Sequence, residues 1–95
     1  MASLIKVVAG MEGMDRDSYE ELAAEQAELG SWTLGDSMAK CYMGEMTIEK
    51  LAELFDSWGD ELNMDELEEL GQLEVGSEME IERGRGLWYE VFGIA

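Results

Sequence analysis

Carboxylates are the residues of this chain whose types and spacing could do chemistry. Glu21, Glu25 and Glu28 recur at i, i+4 and i+7, and Glu49, Glu53 and Asp56 repeat the same steps. Glu78, Glu80 and Glu82 alternate with apolar residues, while Asp60, Glu61, Asp65, Glu66 and Glu69 crowd the stretch before them. Clustered acids support three kinds of chemistry: a general acid–base pair, coordination of a cation, or recognition of a positively charged partner.

The first two are weakly supported. The chain has no histidine, which removes the usual neutral-pH general base and the commonest metal ligand. Cys41 has no histidine to activate it, and acidic surroundings raise a thiol pKa, so it reads as a small core residue. Acid pairs arise by chance in so acidic a chain, and none implies a cleft. A calcium loop requires D-x-[DN]-x-[DN]-G with a closing Glu. Counted from Asp56, the third position is Trp58 and the sixth is Glu61; counted from Asp60, the third is Leu62 and the fifth Met64. Both registers fail. The expectation is a protein that is not an enzyme and has no cofactor and no dedicated metal site.

Recognition of positive charge remains. The 95 residues carry 23 acids against 6 bases, a formal net charge of -17. A small domain is comfortable at a magnitude of about 2–8, so the excess costs stability through self-repulsion. Such a field repels nucleic acid and anionic membranes and attracts basic proteins, above all nucleic-acid-binding grooves. One cysteine allows no internal disulfide, and no apolar run approaches a membrane span. Met1–Met11 carries Lys6, a short apolar run and no clear cleavage site, so a cytoplasmic location is expected.

The acids are not a disordered tail, because apolar residues recur among them. Hydrophobic residues make up 46% of the chain, enough for one small core. Ser3–Val8 reads as a strand, with the first turns of a helix as the alternative, and Gly10 and Gly13 read as breaks. Asp17 with Glu20 resembles a capping box for a helix running to about Leu29, with Tyr19, Leu22, Ala23 and Leu29 buried and Gly30 as its stop. Asp36 is a candidate cap for a short helix bearing Met38, Cys41 and Tyr42 and ending at Gly44; Trp32 and Leu34 read as core. Thr47 caps a helix to about Trp58 whose apolar stripe is Ile48, Leu51, Ala52, Phe55 and Trp58. Asn63 with Glu66 opens another, through Leu70 to Gly71. Glu78–Glu82 alternates as a half-buried strand, Gly84-Arg85-Gly86 is turn chemistry, and Leu87–Phe92 is the return strand. Leu73–Val75 is a possible start of the sheet. The methionines, Met14 and Met64 among them, read as core filler, with an adaptable binding surface as the alternative. The expected architecture is α+β: a single domain of three or four short helices on a small antiparallel sheet with a C-terminal hairpin.

On these elements the acid rows acquire a definite geometry. Steps of four and three residues along a helix advance about 6 and 4.5 Å. Alternate strand residues are about 6.6–7 Å apart. Successive phosphates of a nucleic-acid strand have spacings of the same order. Two readings follow: rows that occupy a groove built for phosphates, or a solvated face where acids sit outside anyway. Ordinary surfaces mix signs, whereas these rows are nearly pure acid. Glu12 and Asp17 lie outside the rows. Trp58 and Tyr89 are candidate exposed anchors for a partner.

In size, charge and acid rows the chain resembles the small acidic proteins encoded by phages against bacterial defence, including anti-CRISPR and DNA-mimic anti-restriction proteins. No aligned motif carries the resemblance. It implies an inhibitor acting in the cytoplasm of an infected bacterial cell. The partner would be a basic nucleic-acid-binding protein, a Cas effector subunit first among them, met by a monomer or weak dimer. The alternative is an acidic adaptor or chaperone-like module that binds one basic protein without mimicking DNA.

Overall fold

Ile5–Glu12 (β1) is the axis of the molecule. Its alternation buries Ile5, Val7, Ala9 and Met11 on one side. It is hydrogen-bonded along both edges, to Met38–Met46 (β3) and to Leu87–Gly93 (β5), antiparallel in each case. Trp32–Leu34 (β2) adds to β3 and Glu78–Arg83 (β4) to β5, giving a five-stranded antiparallel sheet in the order β2-β3-β1-β5-β4. The computed structural model describes residues 3–13, 15–35, 38–84 and 86–94.

One face of the sheet is covered by helices Arg16–Glu25 (α1), Ile48–Ser57 (α2) and Met64–Gln72 (α3). Leu51 and Phe55 of α2 and Leu70 of α3 pack with Ile5, Val7, Ile81 and Val91. At the other end Tyr19 of α1 packs with Met11 and Ala39. Each Val, Leu, Ile, Phe or Met side chain so enclosed contributes about 1.5–3 kcal/mol relative to exposure. Phe55, Trp58 and Tyr89 lock α2 to β5, with the Phe55 and Tyr89 rings edge to face at 4.8 Å and Trp58 stacked on Tyr89 at 6.1 Å. The architecture is therefore the expected α+β one, short helices on an antiparallel sheet closed by a C-terminal hairpin.

The caps of α2 and α3 form as expected. Thr47 accepts from the Lys50 amide, and Asn63 and Glu66 exchange both bonds of a capping box. That of α1 is two residues early. Asp15, not Asp17, accepts from the Ser18 amide, and Asp17 sits in the first turn, where a carboxylate favours the positive helix end. The helix also stops early, at Glu25. The Trp32 indole donates to the Gln26 carbonyl at 3.3 Å, and the chain tightens into a 3-10 turn over Ala27–Leu29.

Three further expectations are corrected. The residues Met38, Cys41 and Tyr42 lie in β3, not a helix. The strand contains a bulge opposite Val7 and Val8, where the register slips from Gly44 to Tyr42, and this breaks the alternation that would have marked it as a strand. Asp36, the proposed cap, lies outside the described residues, as do Met14 and Arg85. Gly10 does not break β1 but sits inside it, beneath the Trp88 indole, where a methyl group would collide with the ring. Leu73–Val75 joins no strand; Leu73 instead closes α3 and packs into the core.

Candidate functional site

The opposite face of the sheet is covered by none of the described residues' helices. The registers of the strands place its side chains in rows. Glu78 is followed by Phe92, Lys6 and Glu45; Glu80 by Glu90, Val8 and Tyr42; and Glu82 by Trp88, Gly10 and Lys40. Glu12 continues the β1 line beyond Gly10, opposite Met38. Acids thus occupy the β4 margin, and the centre mixes Phe92, Trp88, Val8 and Gly10 with Glu90 and Lys6. Tyr42 is 54% exposed.

Glu80 and Glu90 face one another across β4 and β5, a like-charge pairing that costs stability. Partial desolvation against the sheet, followed by the charges of Glu82, Glu90 and Glu12, pushes the Glu80 carboxyl above the usual carboxylate range. A shallow pocket of about 420 Å³ lies among Glu12, Glu80, Glu82, Glu90, Trp88 and Arg83. Its nearest cations are committed. Lys40 Nζ lies 3.9 Å from Glu90, and the Arg83 guanidinium is held by Asp60 at 2.8 Å and by Glu66 at 2.7 Å. Among the described residues, no group of three potential ligands could hold a metal ion.

The helices carry the remaining acids on the other side of the molecule. Glu49, Glu53 and Asp56 are exposed on α2, as are Asp65 and Glu69 on α3 and Glu61 in the connection. None of Glu49, Glu53, Asp56, Glu78, Glu80 and Glu82 is ion-paired with another described residue. Glu21 and Glu25 are exposed on α1 and border a second open groove, of about 680 Å³, with Glu12 and Ser18. Glu28 is exposed but falls in the 3-10 turn, so it does not continue the α-helical row.

Two candidate residues have an internal role. Arg83 donates two hydrogen bonds to Glu66, at 2.7 and 2.9 Å, and one to Asp60. Both Arg83 and Glu66 are largely buried, and the guanidinium holds the Glu66 carboxyl below the usual carboxylate range. This contact pins α3 to β4. Glu66 is thus part of the fold as well as of the acid count. The anchors are also corrected. Tyr89 is buried, its hydroxyl pushed up to about 12 by burial and by Asp60, and Trp58 is half-buried against it. Among the methionines, Met11 is buried, but Met64 stands 83% exposed on α3.

The sequence did not single out Trp88, Glu90 or Glu12 as one group. Glu12 lay outside the rows, yet folding brings it beside Glu80. The available signal was the hairpin, which places Glu90 opposite Glu80 once the Gly84–Gly86 turn is fixed. Comparison with family models, curated proteins and solved structures produced no match.

Proposed function

We propose that this protein is a non-enzymatic inhibitor that occupies the basic nucleic-acid-binding surface of another protein, with its acid rows standing in for phosphates. The supporting observation is that the rows on α2 and β4 are exposed and carry no ion pairs among the described residues. Such complementarity speeds encounter and sets register more than it adds affinity. A Cas effector subunit is the target class that the resemblance in size and charge implies.

The rows lie on opposite sides of the sheet, so a single groove engages one of them at a time. That separation, with the aromatic residues beside β4, favours a second reading: an acidic adaptor that grips one basic protein without copying a DNA strand. Competition separates the two. Fluorescence anisotropy with labelled duplex on a candidate Cas effector is expected to fall as the protein is added. Replacing Glu49, Glu53 and Asp56 together by Gln and Asn, or Glu78, Glu80 and Glu82 by Gln, is expected to leave the fold intact. At least one of the two variants should bind the effector more slowly and with a shallower salt dependence. Simultaneous binding of duplex and protein would favour the adaptor. Undiminished inhibition by both folded variants would refute the role of the rows.

A further inference from the structure

The uncovered face of the sheet sets Trp88, Phe92, Val8 and Tyr42 beside an acidic margin; Lys6 lies over the Phe92 ring at 4.8 Å and Lys40 lies beside Glu90, so the open acids are those around Trp88. A second copy would bring acid row against acid row. Nucleic acid and anionic lipid are repelled by the same margin. No carboxylates converge closely enough for a metal ion among the described residues. What complements both parts is a cation with a flat apolar face. Arginine has that form: its guanidinium presents a rigid fork to carboxylates and stacks on aromatic rings, whereas a lysine ammonium is a point charge.

We propose that this face docks an extended, arginine-bearing segment of a basic partner protein, with one guanidinium seated against Trp88 between Glu80 and Glu82. The inference rests on the reading that the protein binds a basic partner, and it specifies where. Trp88 is well prepared for the role. Gly10 lets its indole lie down on the sheet, and Glu90 accepts a long hydrogen bond from its Nε1 at 3.4 Å. Glu80, Glu82 and Glu12 form no ion pair with a described cation, so an incoming guanidinium meets carboxylates that repel one another and does not have to break a pair of theirs. Five strands at about 4.8 Å spacing make a face about 19 Å across, room for five or six residues of extended chain.

The test uses the whole protein, labelled with nitrogen-15, and two capped heptapeptides that alternate glycine with arginine or with lysine. In about 0.15 M salt, where screening weakens exposed pairs, the arginine peptide is expected to shift the Trp88 indole and the Glu80, Glu82 and Glu90 amides most. It should bind more tightly than the lysine peptide. Trp88→Leu and, independently, the surface change Glu80→Gln should each weaken it about two- to fivefold, the range expected for one stacking or one partly exposed charge contact. Equal binding of the two peptides, with shifts spread over α2 and α3 and no effect of either variant, would overturn the site while leaving an acidic binding surface intact. No binding of either peptide would overturn the basic-partner reading as well.

Discussion

Gly10 and Trp88 face each other across β1 and β5, and the indole lies where any β-carbon at position 10 would have to go. Gly10→Ala is therefore expected to lift the ring from the sheet. Overpacking of this kind costs about 1–3 kcal/mol. Thermal melting followed by circular dichroism should fall by about 4–8 °C for each kcal/mol, with a loss of near-ultraviolet signal from the displaced indole. An unchanged melting temperature would mean that Trp88 has other places to go.

Arg83 and Glu66 give a pH dependence with a definite sign. In the folded state Arg83 holds the Glu66 carboxyl below its usual range, so this contribution is complete at neutral pH and is lost as pH falls through the folded value. Glu80 acts in the opposite sense. Its folded carboxyl is raised, so its penalty is present at neutral pH and is relieved as pH falls. The melting temperature is expected to rise as acidification protonates Glu80 above the usual carboxylate range and to fall as Glu66 takes up its proton below that range. Glu80→Gln should flatten the rise and stabilise at pH 7. Glu66→Gln should destabilise at pH 7 by about 1.5–3 kcal/mol, the range for a hydrogen bond to a charged group. A monotonic melting curve in both variants and in the unchanged protein would contradict this assignment.

Added salt should stabilise the fold. With a net charge of -17, screening reduces repulsion among exposed acids more than it weakens the partly buried Arg83 pair. Melting temperature is expected to climb with sodium chloride through about 0.1 M, where the Debye length is about 10 Å. A flat response in the same titration would show that the acids are too dispersed to repel.

Cys41 is buried among core residues, and burial pushes its thiol pKa up. It should react with a thiol reagent such as dithiobisnitrobenzoate only slowly in the native state and rapidly in denaturant. Rapid native reaction would indicate that β3 opens locally.

The parts of the fold legible in sequence were those whose signals are short-range. Thr47 and the Asn63–Glu66 box each declare a helix start within four residues, and Glu78–Glu82 declares its strand by strict alternation. β3 hid its nature because a bulge interrupts its period and Gly44 resembles a stop. Gly10 resembled a break because its reason, the Trp88 ring, comes from the far end of the chain. The acid rows were legible as exposed, but not the internal role of Glu66, whose partner Arg83 is distant in sequence. The pocket around Glu80 needed the strand registers before Glu12, Glu90 and Trp88 could be seen as neighbours.

The placement of β1 at the centre of the sheet also constrains how the chain is made. β1 gains one of its two neighbours, β5, only after residue 93 has been added. During translation one of its edges can pair with β3 first, and the edge that β5 takes stays open until β5 emerges. Long-range pairing of this sort slows folding, because loop closure must precede the contacts that reward it. The net charge of -17 that burdens the finished fold also makes copies of the chain repel one another, which opposes edge-to-edge pairing while that edge is open.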